Sequence, residues 1–519
     1  MKLSKSVMFG AAACLLSTSA SAQAAGDLLA LSQYNYSFST ARSAALGGAF
    51  TSLGADLSSM SINPAGLGMY MSSDFGISPS LTWNNMQSTY LGTKSDYSRT
   101  RFTLGNLGMA FNLYQGSGTL TSFTLGVGYS KLADFNTTSA AYGQGIDKSI
   151  TDVLAEYMNG VPLSSLGHPD NDPYQPFRRA DVGLWGGILA YQTGILDPMS
   201  DAQDNKQYTV ANNLATGSRT NPSMRNVNKG SIDEYSISGG FNIQNILYLG
   251  FTIGIQDILY RNDNYYAETY DNNSLPLNGM NYIRSLHLDG TGVNFKFGAV
   301  VRPIENLRIG VAVHTPTLVS INEEYIEWMS ADYKNTARGE LLDSPRSLNE
   351  YDINTPTRLL TGISYTLPGV GLITADYERV WYNRMKLRNM GTENGDFQQT
   401  INNEVSSFYQ PANNFRVGIE ATPAQNFYIR AGYANYGECI ATRDAFNNMS
   451  SINSYENYSA GLGFRFQNMY VDLAYIYTEY KYAPYTMFYY GDPDYVVNPG
   501  NVETKQSRNT ITMSVGVRF

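Results

Sequence analysis

From Asp74 to the last residue the chain alternates apolar and polar positions with a period of two. Phe123, Leu125, Val127 and Tyr129 alternate with Thr124, Gly126, Gly128 and Ser130. Leu247, Leu249, Phe251, Ile253 and Ile255 repeat the pattern, as do Val293, Phe295, Phe297, Ala299 and Val301. This is the mark of a strand whose two faces meet different surroundings. Segments of about ten such residues, separated by turns, cross a bilayer as an antiparallel β-barrel. Fourteen segments can be marked, from Asp74–Tyr90 and Thr100–Tyr114 to Met469–Tyr480 and Asn509–Phe519.

The connections support a barrel over a soluble sandwich. Those after even-numbered strands are short: Gln115–Thr119, Gln244–Ile246, Pro303–Asn306, Leu367–Val370, Thr422–Gln425 and Gln467–Asn468. Those after odd-numbered strands are mostly longer. Short periplasmic turns and long external loops are the barrel pattern, and an even strand number places both ends on one side.

Two local features stand out. In the second strand Phe102 and Leu104 share one parity and Leu107, Met109, Phe111 and Leu113 the other, so a bulge or wall kink is expected at Gly105-Asn106. The last strand carries Ile511, Met513, Val515, Val517 and Phe519 on one face and ends on an aromatic residue.

Residues 1–22 read as a secretory signal, with Lys2 and Lys5 before an apolar run and Ala20-Ser21-Ala22 as the cleavage site. Residues 23–70 are different again. Gly47, Gly48, Gly54, Gly66 and Gly68 permit close backbone approach, and Pro64 fixes its own φ and keeps Asn63 out of the α region. Such a segment suits a narrow, walled space.

The run Ala41–Gly68, with Ala44–Gly48 and the motif Asn63-Pro64-Ala65-Gly66, resembles the N-terminal hatch of the FadL/TodX family of outer-membrane transporters for hydrophobic compounds. The resemblance implies a fourteen-stranded barrel over residues 71–519, plugged by the hatch, in a bacterial outer membrane. It implies uptake of long-chain fatty acids or other hydrophobic small molecules by a monomer, and a terminal Phe519 read by the barrel-insertion machinery. Outer-membrane lipids would surround it. In the family a wall kink lies in the third strand. PorV-type shuttles of secretion systems begin similarly, which leaves a protein-binding barrel as the alternative, and haem uptake as another.

The chain has 519 residues, a net charge of -9, 40 tyrosines and 48 glycines, with 15% charged residues. That fits aromatic girdles and a polar interior, and the acidic balance excludes a nucleic-acid partner. His168, His287 and His314 have no metal-ligand spacing, and no enzyme or haem-attachment motif occurs, so no catalysis, cofactor or metal is expected. Cys14 falls in the signal and leaves Cys439 as a lone thiol.

The longest external loop runs from about 134 to 229. In it Ile150, Val153, Leu154, Tyr157 and Met158 fall at helical spacing, and a second apolar run surrounds Trp185. A folded cap is expected, either offering an apolar groove from Ile150, Leu154, Tyr157, Met158 and Trp185 or packed on itself. On the lumen side Arg308, Arg358, Arg416, Arg430, Arg465 and Arg518 face Asp376, Glu378, Glu420 and Asp472. These charges either pair with one another and with the hatch backbone, or leave one or two arginines to anchor a ligand carboxylate.

Overall fold

The computed structural model describes residues 25–519 except 167–171, 211–217, 272–275, 335–339, 392–394, 442–450 and 493–494. The signal at 1–22, with Cys14, and His168 therefore lie outside the described residues.

Fourteen antiparallel strands close on themselves. They are β1 (Asp74–Tyr90), β2 (Thr93–Gln115), β3 (Leu120–Asp134), β4 (Thr220–Ile243), β5 (Leu247–Tyr270) and β6 (Leu277–Ile304). Next come β7 (Leu307–His314, continued by Leu318–Tyr333), β8 (Ser347–Asn354, continued by Arg358–Leu367) and β9 (Gly371–Trp381, continued by Lys386–Arg388). The circuit ends with β10 (Pro411–Ala424), β11 (Phe427–Tyr436), β12 (Ile452–Phe466), β13 (Met469–Tyr482) and β14 (Asn501–Arg518). Each strand pairs with the next, and β14 pairs with β1, from Arg518 opposite Asp74 to Val502 opposite Tyr90. Closure removes the exposed edge that an open sheet would carry into lipid.

The two faces follow the sequence pattern. Phe251, Ile253, Phe295, Phe297, Ile309, Val311, Phe415, Ile419, Phe464, Leu473 and Met513 are exposed outward as an apolar belt. Tyrosines close its outer margin, where Tyr129 and Tyr235, Tyr377 and Phe415, and Tyr433 and Tyr458 sit side by side. An outward apolar belt with an aromatic girdle is the surface of a barrel embedded in the bacterial outer membrane.

The strands run far beyond the belt. β4, β5 and β6 have 24, 24 and 28 residues, against about ten needed to cross. The expected long loop is partly wall for this reason: Thr137–Tyr142 pairs with the first half of β4. The extra length is rich in Asn, Thr and Tyr, which bond across strands where no lipid is present; Asn264 bonds Asn226 at 2.5 Å and Asn262 bonds Asn228 at 2.6 Å.

The bulge falls at Gly105. Ser78 stands opposite Asn106 and Pro79 opposite Leu104, so Gly105 has no partner on β1. The extra residue resets the alternation. Phe102, before it, is exposed, while Thr103 and Asn106 are both buried inward.

Residues 25–70 lie inside the barrel, and the wall has lost side chains to receive them. A Cβ on Gly298 would stand 1.8 Å from Asn63 Oδ1, and one on Gly250 would stand 2.2 Å from the Pro64 carbonyl carbon. Gly310 faces Thr51 in the same way, at 2.2 Å from its carbonyl oxygen, and Gly432 faces Gly47 N at 2.2 Å. Gly250→Val should therefore leave the barrel folded, since the strand ladder is untouched, but unseat residues 63–65. The check is heat-modifiable gel mobility together with limited proteolysis. Retained mobility with new cleavage inside residues 41–69 is expected; wild-type protease resistance would contradict the packing.

Candidate functional site: a plugged lumen beneath a capped apolar chamber

The lower lumen is filled by residues 41–70. Thr40 caps the helix Ala41–Ala45, accepting from Ser43 N, and Gly47 and Gly48 follow at φ +68° and +75°, in the left-handed region that glycine tolerates. Asn63 is fully buried: its Nδ2 donates to Thr51 O at 2.6 Å and its Oδ1 accepts from Ala65 N at 3.1 Å. It thus caps the 3-10 turn Pro64–Met69, with Pro64 in the first position where a missing N–H costs nothing. Ala65 packs on Tyr248 and Val300, while Gly66 and Gly54 lie backbone to backbone.

The lumen charges hold this segment. Glu420 takes Arg430 at 2.5 Å and Arg42 of the plug at 3.2 Å; Asp472 takes Arg430 at 2.6 Å and Arg465 at 3.1 Å. Glu378 takes Arg358 at 3.3 Å and Arg416 at 3.2 Å. Asp376 accepts from Thr51 N at 2.8 Å and Oγ1 at 2.6 Å, Arg358 donates to Ser32 O at 2.6 Å, and His314 bonds Ile62 O at 2.9 Å. Arg518 donates to Ala55 O at 3.0 Å. Buried charges are tolerated where they are paired or hydrogen-bonded in this way. Arg358, Arg416, Arg430 and Arg465 are therefore committed to carboxylates of the wall. Arg308 stands next to the periplasmic turn between β6 and β7.

Above the plug the lumen turns apolar. Ile232, Ile258, Leu286, Leu288, Val319, Ile321, Ile353 and Val380 form a chamber lined from the consecutive strands β4 to β9, all buried. Its centre is taken by a short helix at residues 25–30, whose Leu28 and Leu29, with the following Leu31, are buried against that lining. The helix Gly395–Phe408 covers it through fully buried Ile401 and Val405, and Tyr409 Oη donates to Ala25 O at 2.8 Å. Cys439 is buried in the same cluster, where burial lifts its thiol to about 12 and keeps it protonated. Sequence reasoning missed the N-terminal leucines and this second lid. The apolar run Leu28-Leu29-Ala30-Leu31 was the available signal.

The cap at 134–229 folds around the helices Ile150–Met158 and Trp185–Gln192. Ile150, Leu154, Met158 and Trp185 are buried and Tyr157 partly so, packed on Tyr266, Tyr270, Met280, Tyr282 and Met329 from the extended wall. They are the cap's own core and do not line an open groove, which corrects the groove expectation. Glu268 fastens the first helix, accepting from Ser149 Oγ at 2.5 Å and from Ile150 N at 2.7 Å. A groove of about 660 Å³ does exist on the cap, but between Tyr174, Tyr191, Asp197 and Asp343.

The wall is incomplete on its outer half. β2 pairs with β3 only from Asn106 to Gln115. Beyond Ser130, β3 bends inward: Leu132 and Ala133 join the chamber, Leu132 O accepts from Asn35 N at 2.8 Å, and Asp134 O accepts from Arg508 at 3.0 Å. A seam is left beside the Gly105 bulge, closed by side chains such as Tyr97 and Tyr142, whose hydroxyls meet at 3.1 Å. Asn106 Nδ2 bonds Ser130 Oγ at 2.9 Å at its lower end. The distortion thus involves both strands, the bulge in β2 and the bend in β3.

This architecture is a closed fourteen-stranded membrane barrel with its N-terminal segment packed inside the lumen. No protein-family model and no curated protein sequence matches the chain. Among solved structures it resembles the P. putida toluene transporter TodX, at 12% identity over 94% of this chain and 99% of that one, with a TM-score of 0.51. It resembles a Pseudomonas aeruginosa FadL homologue at 11% identity over 94% and 98%, with a TM-score of 0.52. The fold is therefore of the FadL/TodX type, and the neighbours are channels, not enzymes.

One side chain in the second lid reports on its stability. Glu404 is half-buried with no compensating charge, and burial lifts its carboxyl to about 7. Between its ordinary value near 4.5 and 7, the unfolded chain gives up the proton while the folded helix keeps it. The lid therefore loses stability as pH rises through that window and carries the full penalty above it. Glu404→Gln should slow amide exchange across Gly395–Phe408 at pH 8 by an amount near ~1 kcal/mol, reduced because the group is partly in water, and leave it unchanged at pH 4.

Proposed function

We propose that the protein is an outer-membrane channel that takes up hydrophobic small molecules, long-chain fatty acids or compounds like them. The observation that carries this reading is the apolar chamber, walled by strands, lidded on the outside and closed below by the plug. A buried apolar volume of this kind, occupied by a short helix, is the place where an apolar solute gains most from leaving water. The sugar-covered outer leaflet resists such solutes, so a protein route meets a physical need.

In this reading the solute enters past the cap and replaces Leu28, Leu29 and Leu31 in the chamber. Exit follows the seam between β2 and β3 sideways, or the lower lumen once the plug shifts. The plug motif Asn63-Pro64-Ala65-Gly66 serves as the hinge, with Gly47, Gly48 and Gly54 allowing the fit. Asn63→Ala removes the cap of the turn and its bond to Thr51, a loss of about 1–3 kcal/mol for a buried group. Asn63→Ala and Pro64→Ala should each give folded barrels with impaired uptake; normal uptake by both sinks the hinge role.

The direct test is native mass spectrometry of the barrel in mild detergent, with extraction of what it carries. A fatty acid or similar apolar molecule released on unfolding is expected. An empty barrel holding a second protein in fixed ratio would point instead to a shuttle of the PorV type.

A further inference from the structure

The upper end of the seam carries a cleft on the outer face of the wall, separate from the lumen. It encloses about 260 Å³. Tyr97 reaches it from β2 and Tyr142 from the end of the Thr137–Tyr142 arm, while Arg225, Tyr265 and Ile283 come from β4, β5 and β6. The last three form one row, since Arg225 stands opposite Tyr265 and Tyr265 opposite Ile283. Their chain neighbours Met224, Tyr266 and Tyr282 are buried in the cap core, so the row faces outward. Among the described residues that line the cleft none is acidic, and Arg225 carries its one charge, in a chain whose net charge is -9.

Arg225 is exposed, with its guanidinium 4.6 Å from the centre of the Tyr265 ring. No carboxylate of the described residues comes within 4.0 Å of it. The next cations toward the membrane on β4 and β5 differ: Lys229 and Arg261 both reach Asp263, at 3.8 and 3.1 Å. The height of the cleft matters as much as its lining. Arg225 lies ten residues outward of Tyr235, the girdle position on the same strand. At about 3.3 Å per residue and a strand tilt of about 40°, that is roughly 25 Å beyond the margin of the apolar belt. A barrel in the outer membrane is surrounded at this height by the sugars of outer-leaflet glycolipids, not by acyl chains.

We propose that this cleft binds the core saccharide of a lipopolysaccharide, with Arg225 holding a phosphate of that core. Tyrosine offers a flat apolar face to the C–H face of a sugar ring and a hydroxyl to the sugar's own hydroxyls. The guanidinium offers phosphate a planar fork of donors, and the Tyr265 ring beneath it keeps that fork in place. A hydrocarbon leaves this cation unpaired, and a cationic ligand is repelled by it. The bound saccharide touches Tyr97 on one side of the seam and Tyr142 and Arg225 on the other. It therefore braces the wall where the strands themselves do not pair.

The test is native mass spectrometry of the full-length protein in mild detergent with three probes. These are rough lipopolysaccharide with a phosphorylated core, rough lipopolysaccharide from a strain unable to phosphorylate its core, and lipid A alone. Wild type should hold the first more tightly than the other two. Arg225→Ala should weaken the first about tenfold and leave lipid A unchanged. Arg225→Lys, which keeps the charge without the fork, should recover part of the loss. Tyr142→Ala should weaken both lipopolysaccharides by the same factor, because a ring stacked on sugar does not sense the phosphate. Heat-modifiable mobility confirms that each variant is folded. Equal binding of all three probes by wild type, or undiminished binding of the phosphorylated form by Arg225→Ala, overturns the proposal.

Discussion

A peptide chain threaded through a membrane barrel carries a donor and an acceptor at almost every residue, and each must find a partner. That constraint shapes the rest of this protein. The plug meets part of the demand internally, through short helical turns capped by Thr40, Asp56 and Asn63. The wall meets the remainder with Asp376, Arg358, His314 and Arg518, each aimed at plug backbone. Glu378, Glu420 and Asp472 pair with Arg358, Arg416, Arg430 and Arg465 across the wall, so most of the charge in the lower lumen is matched. Where plug and wall touch most closely, the wall is glycine.

The same chain meets the opposite condition a few residues earlier. Before Ser39 it leaves the charged layer and enters an apolar one, and its own side chains change accordingly, from Thr and Ser to Leu28, Leu29 and Leu31. The lumen is thus layered: polar plug below, apolar chamber above it, then the apolar cap core. The inward bend of β3 serves two ends at once, bringing Leu132 and Ala133 to the chamber and parting the wall from β2.

Much of this was legible in the sequence. The period of two, the terminal strand and the alternation of short and long connections define a fourteen-stranded barrel, because lipid on one side and a polar lumen on the other impose strict alternation. The helix at Ile150–Met158 was visible for the same reason, as one face of it is buried. The phase break at Gly105 was visible because a bulge must shift parity. What stayed hidden depends on pairing between distant segments. Nothing in the spacing of Arg358 and Glu378 shows that they meet. The chamber is assembled from residues more than 400 positions apart, Ala25 and Ile440 among them. For the cap residues Leu154 and Trp185 a groove and a self-packed core were equally open, because periodicity reveals an apolar face but not what covers it.

The central claim is that residues 41–70 hold the lumen of the intact protein shut. Ionic conductance in planar bilayers tests it most directly. The account predicts that the full-length barrel passes almost no ions, and that removing residues 41–70 from a refolded barrel produces a steady open pore. A large, steady conductance from the intact protein, equal to that of the plugless form, would contradict it.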